Sequence, residues 1–145
     1  MSDFATNCIA DVTAKLKTIS GTPFGDKVLG VYSEDDFSDK TGKLMTPFAG
    51  VLYAGLREAA GGPVPGASAD LVVSILFGFA SSRVGDDSKV AAWDVLSKVR
   101  HVMRRTRSPT GHFWRFSSEV YAGNTKGVAF FIQTWKTWTP LLGDG

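Results

Sequence analysis

The chain has 145 residues, 43% of them hydrophobic and 12% aromatic, which is enough apolar material for one domain with its own core. Sixteen lysine and arginine residues against 14 aspartate and glutamate residues leave a formal net charge of +2. This charge is too small for a protein whose main task is to coat nucleic-acid phosphates, and it indicates no other class of partner.

The sequence predicts neither a membrane span nor a disulfide. The longest apolar run, at residues 71–80, is too short to cross a bilayer, and MSDFATNC at the N-terminus lacks the basic and apolar segments of a secretion signal. Cys8 is the single cysteine, and the two histidines do not complete a zinc site of familiar spacing. We therefore expect a soluble, cytosolic protein.

The spacing of apolar residues predicts an amphipathic helix over residues 4–19. Cys8, Val12 and Leu16 recur every four residues on one stripe. The following Ser-Gly-Thr-Pro ends this helix, because glycine suits the left-handed C-terminal position and proline cannot continue the hydrogen-bond ladder. A short strand, VLGVYS at 28–33, comes next, and the charged EDDFSDKTGK after it is predicted to be a mobile or partner-facing loop.

Two apolar runs, at 48–59 and 70–82, are predicted to be strands that pair with each other. The connector AAGGPVPGASA between them has three glycines and two prolines, which exclude regular structure within it. Strands this evenly apolar are typical of the centre of a sheet.

A second amphipathic helix is predicted over residues 89–105, where it would lie across the sheet. Asp86, Asp87 and Ser88 supply acceptors for the free amides at its start. Its apolar residues at helical spacing are Ala92, Val95, Leu96, Val99, Val102 and Met103. The last turn is basic, which favours the negative end of the helix dipole.

The aromatic stretch HFWRFSSEVYAGNTKGVAFFIQTWKTW, residues 112–138, predicts a β-hairpin with its turn at 123–127. In the second arm, alternation directs Phe130 and Ile132 to one face and Phe131 to the other. The order of elements predicts a single α+β domain over residues 1–145, with a mostly antiparallel β-sheet flanked by two main α-helices and ending in this hairpin.

Candidate catalytic and metal-binding residues are few. His101 and His112 belong to no recognisable motif, and we interpret them as solvent-facing or capping residues. Cys8 falls on the apolar stripe of its helix, where a buried, unreactive thiol is the usual finding. GGPVPG lacks the lysine and the strand-to-helix context of a phosphate-binding loop.

Charged residues form two clusters of opposite sign. The acidic cluster is Glu34, Asp35, Asp36 and Asp39, which lacks the ligand order of a calcium loop and is predicted to be solvated. The basic cluster is Lys98, Arg100, His101, Arg104, Arg105 and Arg107, which suits a solvated helix end, an acidic protein partner or nucleic acid. A further hypothesis is head-to-tail pairing of copies into a ring, acidic patch against basic patch.

The aromatic residues of the hairpin are predicted to form core and cross-strand pairs. Alternation does not allow all of them to face one core. We expect those toward Trp135 and Trp138 to meet a neighbouring subunit or to cover a sheet edge.

Six segments carry a family resemblance, namely FATNCIADVTAKLKTI, VLGVYS, AGVLYAGL, DLVVSILFGFA, AAWDVLSKVRHVM, and the terminal hairpin. In their order, and in the C-terminal half above all, they resemble the tail terminator (tail-completion) proteins of tailed bacteriophages. The resemblance covers most of the chain.

The resemblance implies a non-enzymatic virion protein without cofactors or metals, assembled in the host cytoplasm and located at the head-tail junction. Such a subunit forms a ring, usually a hexamer, on the tail tube, stops polymerisation of tube and sheath, and contacts head-completion (neck) proteins. DNA would pass the ring lumen with at most non-specific contacts. The expected contact residues are Glu34, Asp35, Asp36, Asp39, Arg100, Arg104, Arg105, Arg107, Trp135 and Trp138. The alternatives are another head-tail connector protein and a small nucleic-acid-binding module that uses the basic helix end.

Overall fold

The computed structural model describes residues 4–19, 24, 28–31, 47–58, 68–80, 87–125 and 127–140. The helices within these residues are α1 (Phe4–Lys17) and α2 (Asp87–Arg104). The strands are β1 (Val28–Val31), β2 (Phe48–Glu58), β3 (Ser68–Ala80), β4 (Arg115–Thr125) and β5 (Val128–Pro140). The predicted α+β class with a mostly antiparallel sheet is confirmed.

The strands form one sheet in the order β1-β2-β3-β5-β4. The β1–β2 pair is parallel, and the other three pairs are antiparallel. The predicted pairing of the two apolar runs is confirmed, since Val51 lies opposite Ile75. β3 pairs with β5 from Ser68↔Pro140 to Ala80↔Val128, so the most apolar strand is the middle one.

Helix α1 buries the predicted apolar stripe of Cys8, Ile9, Val12 and Leu16. It ends at Lys17, two residues before the predicted end. At this end the backbone amide and the hydroxyl of Thr18 donate to the carbonyl of Lys15 at 3.1 and 2.8 Å. These bonds satisfy a carbonyl that has no partner farther along the helix.

Helix α2 begins at Asp87 and ends at Arg104, within two residues of its predicted bounds. Its buried side chains are Ala92, Leu96, Val99 and Met103. Thr106 ends it, because its backbone amide and its hydroxyl donate to the carbonyl of Met103 at 3.3 and 3.2 Å. Neither of the two helices described is long and apolar enough to cross a membrane.

Both helices pack on one face of the sheet, which places the main core there. Burial alternates along β5, and Phe131, Gln133 and Trp135 point to the helix side. This confirms the faces predicted from alternation. The core that the helices and the sheet share includes Val12, Leu16, Val73, Ile75, Phe77, Leu96, Val99, Met103, Trp114 and Trp135.

The opposite face of the sheet has a smaller apolar centre around Phe48. This side chain lies over Gly78 of β3, where an added Cβ would be 2.3 Å from the phenyl ring. Its ring centroid is 6.2 Å from that of Phe130 in β5, in an edge-to-face arrangement. Glycine at this position therefore makes room for the aromatic side chain.

A tight turn at 108–111 joins α2 to β4. The amide of Gly111 donates to the carbonyl of Ser108 at 2.9 Å, and Gly111 has a φ of 91°, which favours glycine. The hydroxyl groups of Ser108 and Thr137 lie 2.8 Å apart, and Thr110 donates to the carbonyl of Trp138 at 2.7 Å. The turn is thereby fixed to the end of β5.

The C-terminal hairpin is confirmed, but its turn is shorter than predicted. Thr125 still pairs with Val128, whereas the sequence prediction assigned residues 123–127 to the turn. Gly127 has a φ of 79°, as tight hairpin turns require. Register shifts between Phe116 and Ser118 and between Tyr121 and Gly123 mark two bulges in β4.

Candidate assembly surface

The basic end of α2 forms one side of a surface groove. Arg100 and Arg104 are four residues apart and lie on the same side of the helix. With Ser97, His101 and Arg105 they line a pocket of about 380 Å³. Four residues of the predicted basic cluster therefore lie together in the structure: Arg100, His101, Arg104 and Arg105.

The same two arginines also border a second pocket, between α2 and β4. This pocket has a volume of about 600 Å³ and is lined by Arg100, Arg104, Trp114, Arg115 and Phe116. The two pockets adjoin at Arg100 and Arg104, which line both, and together they make one basic surface beside α2. We call it the basic groove, defined by Ser97, Arg100, His101, Arg104, Arg105, Trp114, Arg115 and Phe116.

One arginine of the basic groove is held by a hydrogen-bond chain that leads into the core. Arg100 forms an ion pair with Glu119 of β4. The amide nitrogen of Gln133 donates to the same carboxylate oxygen at 2.8 Å and to the carbonyl of Leu96 at 3.2 Å. The indole of Trp135 donates to the amide oxygen of Gln133 at 3.0 Å. These hydrogen bonds connect α2 with both strands of the hairpin.

The wall of the basic groove opposite α2 consists of Trp114, Arg115 and Phe116. Residues of β3, β5 and α1 hold two of these side chains in place. Arg115 forms an ion pair with Asp70 of β3, and its guanidinium lies 4.2 Å from the ring centroid of Trp138. The indole of Trp114 donates to Asp11 of α1 at 3.1 Å. Trp114 and Arg115 are therefore both held by contacts with other elements of the fold.

The other two arginines of the helix end have no acidic partner among the described residues. Arg104 and Arg105 are exposed, and neither forms an ion pair with another described side chain. The groove thus presents positive charge that the part of the chain seen here does not neutralise.

Two residues of the predicted basic cluster lie outside the groove. Lys98 pairs along the helix with Asp94 at 3.1 Å. Arg107 donates to the carbonyl of Gly111 at 2.7 Å, and its guanidinium lies 4.4 Å from the ring centroid of Phe113. The turn at 108–111 directs Arg107 away from the groove, which the helical spacing did not indicate.

The prediction that Trp135 meets a neighbouring subunit is corrected by the structure. Its side chain is 0% exposed and packs in the core, because it points to the helix side of β5. Trp138 is half-buried, with Arg115 over its ring and His112 at a centroid distance of 5.8 Å. Neither tryptophan is a large exposed apolar side chain.

The exposed apolar side chains of the hairpin lie instead on and beside β4. Phe116 is 42% exposed and Tyr121 is 57% exposed, and Val120 and Phe113 are also exposed. Sequence reasoning missed their exposure because β4 carries bulges. The bulge after Phe116 places this residue on the same face as Glu119 and Tyr121, as its ring contact with Trp135 at 5.3 Å shows.

The acidic cluster Glu34, Asp35, Asp36 and Asp39 lies outside the described residues. Its assignment as a contact surface stays a prediction. The same holds for Asp86, Asp87 and Ser88 as helix-start acceptors, because their side chains also lie outside the described part.

The other titratable candidates occupy separate places in the fold. Cys8 is buried, and burial, followed by the nearby charge of Asp11, raises the pKa of its thiol to about 12. His112 packs on Trp138 at the end of the sheet, whereas His101 is exposed in the basic groove. Within the described ranges, no three His, Cys, Asp or Glu side chains are grouped to hold a metal ion.

Comparison of the chain with protein-family models gives no match. Comparison with curated protein sequences gives none either.

Proposed function

We propose that this chain is a structural virion protein of a tailed bacteriophage, a tail terminator that assembles as a ring on the end of the tail tube. It ends tail polymerisation there and forms the joint to the head-completion (neck) proteins. The proposal combines the sequence resemblance given above with the surface of the folded chain. In this proposal the protein is not an enzyme and needs no cofactor.

The observation that carries the proposal is the exposed apolar surface along β4. This strand ends the sheet, so its outer edge pairs with no described strand. Its two charged residues, Arg115 and Glu119, are both engaged in ion pairs within the molecule. Charges on an edge strand commonly prevent strand-to-strand association, and here they do not project from the edge.

Large apolar side chains next to such an edge favour contact with another protein chain. Val120 and Tyr121 are each at least half exposed, and Phe116 lies on the same strand. Phe116 and Tyr121 point to the helix side of the sheet, and Val120 points to the other side. Exposed aromatic side chains beside arginines are typical of protein interfaces. The basic groove supplies the arginines.

The proposed mechanism is capping. A subunit that adds to the tube end occupies the interface at which the tube grows and does not offer a new tube-like surface. Growth therefore stops without any chemical step. A ring of identical subunits requires a heterologous contact that closes on itself, for which two different surfaces of one chain are needed.

Light scattering coupled to size exclusion tests the proposal. The wild-type chain is expected to elute with the mass of a closed oligomer, a hexamer by the resemblance. Val120→Asp combined with Tyr121→Ser is expected to reduce the mass toward a monomer, because charge and lost apolar area weaken the contact. Lys17→Glu on α1, which places an acidic residue on an exposed position away from β4, is the control. A wild-type monomer under all conditions would contradict the proposal.

A second candidate function, a small nucleic-acid-binding module, is favoured by the arginines of the basic groove and by the exposed ring of Phe116. It predicts a gel shift with short DNA that weakens steeply with salt and disappears in an Arg104→Ala, Arg105→Ala variant. DNA binding without assembly would favour this candidate. If the protein is instead another head-tail connector, we expect it to form a ring as well but to bind a partner other than the end of the tail tube.

A further inference from the structure

The charge of the basic groove favours an acidic occupant. Of its four arginines, Arg100 and Arg115 are paired with Glu119 and Asp70, whereas Arg104 and Arg105 make no ion pair with a described residue. Arginine binds carboxylates through a planar fork of donors, so unpaired arginines in a groove favour carboxylate ligands.

The aromatic wall of the groove favours an occupant that also carries an apolar group. One of its walls is formed by Trp114 and Phe116, and the ring of Phe116 is 42% exposed beside Arg100 and Arg104. An aromatic side chain would gain both apolar burial and an edge-to-face contact on this wall. An occupant with negative charge alone would leave the wall in contact with water.

One segment of this chain combines these two properties. Residues 34–39, Glu-Asp-Asp-Phe-Ser-Asp, contain four of the 14 acidic residues and place Phe37 between Asp36 and Asp39. The segment carries four negative charges, against two unpaired arginines and a histidine in the groove. The charges and the aromatic residue are therefore complementary in kind.

We infer that the basic groove receives residues 34–39 of a second copy of this chain, with the carboxylates on Arg104 and Arg105 and Phe37 on Phe116. The groove and the segment are different parts of the chain, so this contact is heterologous and generates a ring when the rotation closes. The inference rests on the proposed ring and adds a second contact between its subunits to the one proposed for the exposed side chains of β4.

Reciprocal charge reversal tests the inference. The groove variant is Arg104→Glu with Arg105→Glu, and the segment variant is Asp35→Lys with Asp36→Lys. Each alone is expected to be monomeric in light scattering, because like charges then meet at every contact. Mixed in equal amounts, they are expected to recover a ring with alternating subunits. Each segment in that ring meets a groove of opposite charge, and an even number of subunits closes it.

Three controls separate the possible occupants. Lys17→Glu with Arg57→Glu makes the same charge change on exposed residues outside the groove and is expected to leave the ring intact. A chain with all four reversals is expected to assemble by itself. Phe37→Ala and Phe116→Ala are each expected to weaken assembly by about tenfold or more, because aromatic residues dominate such contacts. Urea unfolding midpoints confirm that each variant is folded.

The outcomes are distinguishable. Recovery in the mixture supports the inference. If the segment occupies the groove of its own chain, the chain with all four reversals assembles into a ring, whereas the mixture of the two variants does not. This result overturns the second-copy assignment. A groove variant that keeps its ring but loses binding of short single-stranded DNA shows nucleic acid to be the occupant, and this also overturns it. A monomeric wild-type chain contradicts the proposed ring itself.

Discussion

Gln133 accepts a hydrogen bond from the indole nitrogen of Trp135 at 3.0 Å, two residues farther along the same strand. Both side chains are 0% exposed, so a polar amide lies in the centre of an otherwise apolar core. A buried polar group is stabilising only when its donors and acceptors are satisfied. Here the amide nitrogen completes the arrangement by donating to Leu96 and Glu119.

Gln133→Leu is expected to destabilise the fold by about 1–3 kcal/mol, because it leaves the indole nitrogen of Trp135 buried without an acceptor. Urea unfolding measures this change. Glu119→Gln keeps an acceptor for Gln133 and removes only a partly exposed ion pair, so its cost is expected to stay below about 1 kcal/mol. Equal stability of Gln133→Leu and wild type would show that this network contributes nothing.

The contact between Asp11 and Trp114 joins α1 to the segment before β4. Asp11 accepts from the indole nitrogen at 3.1 Å and also pairs with Lys15. Asp11→Ala is expected to cost about 1–3 kcal/mol, because Trp114 is buried and loses its acceptor. Asp11→Asn retains a carbonyl oxygen and should cost clearly less. A larger cost for asparagine than for alanine in thermal unfolding would refute this assignment.

The raised pKa of the Cys8 thiol predicts that the folded protein loses stability at alkaline pH. Its thiol has a folded pKa of about 12 against an ordinary value of 9.0, so the unfolded chain ionises first as the pH rises. The stabilising contribution is complete below pH 9 and is lost toward pH 12, by up to about 1.4 kcal/mol per pH unit. Cys8→Ala should have a flatter decline than wild type over this interval. Parallel curves for the two proteins would contradict the prediction.

The same burial predicts that Cys8 does not react with a thiol reagent in the native state. Labelling of the wild-type chain at pH 8 is expected to occur only as fast as the protein opens, and to become immediate in denaturant. Rapid stoichiometric labelling without denaturant would show that α1 does not cover the thiol.

Gly78 is expected to tolerate no side chain while Phe48 is present. Alanine would place its Cβ 2.3 Å from the phenyl ring, and overpacking of this kind costs about 1–3 kcal/mol. In a Phe48→Ala background the additional cost of Gly78→Ala should be much smaller, since the obstructing ring is gone. The double-mutant cycle measures this coupling, and additive costs would exclude the contact.

Much of the fold is predictable because the spacing of apolar residues within each helix and strand indicates which face is buried. The apolar stripe of α1 and the alternation along β5 both gave the correct buried faces. The turn of the hairpin was misplaced because strand pairing continues through Asn124, a residue that typically favours a turn. Pairing with Ala129 of β5 keeps Asn124 in the strand.

The candidate site was predictable only in part. Helical spacing alone places Arg100 and Arg104 side by side, and the sequence prediction included both. Trp114 and Phe116 join them through tertiary packing, and a bulge decides which way Phe116 points. Trp135 was assigned to a neighbour because hydrophobicity alone does not distinguish a core face from an interface. Its partner Gln133 would have been the better signal, since a polar residue on an apolar face indicates a buried hydrogen bond.

The most direct test of the ring is negative-stain electron microscopy of the purified 145-residue chain at low and moderate salt. We predict uniform closed rings with a central opening, six-fold by the resemblance, that disappear in the Val120→Asp, Tyr121→Ser variant. Solitary compact particles at every protein concentration and salt concentration would contradict the account.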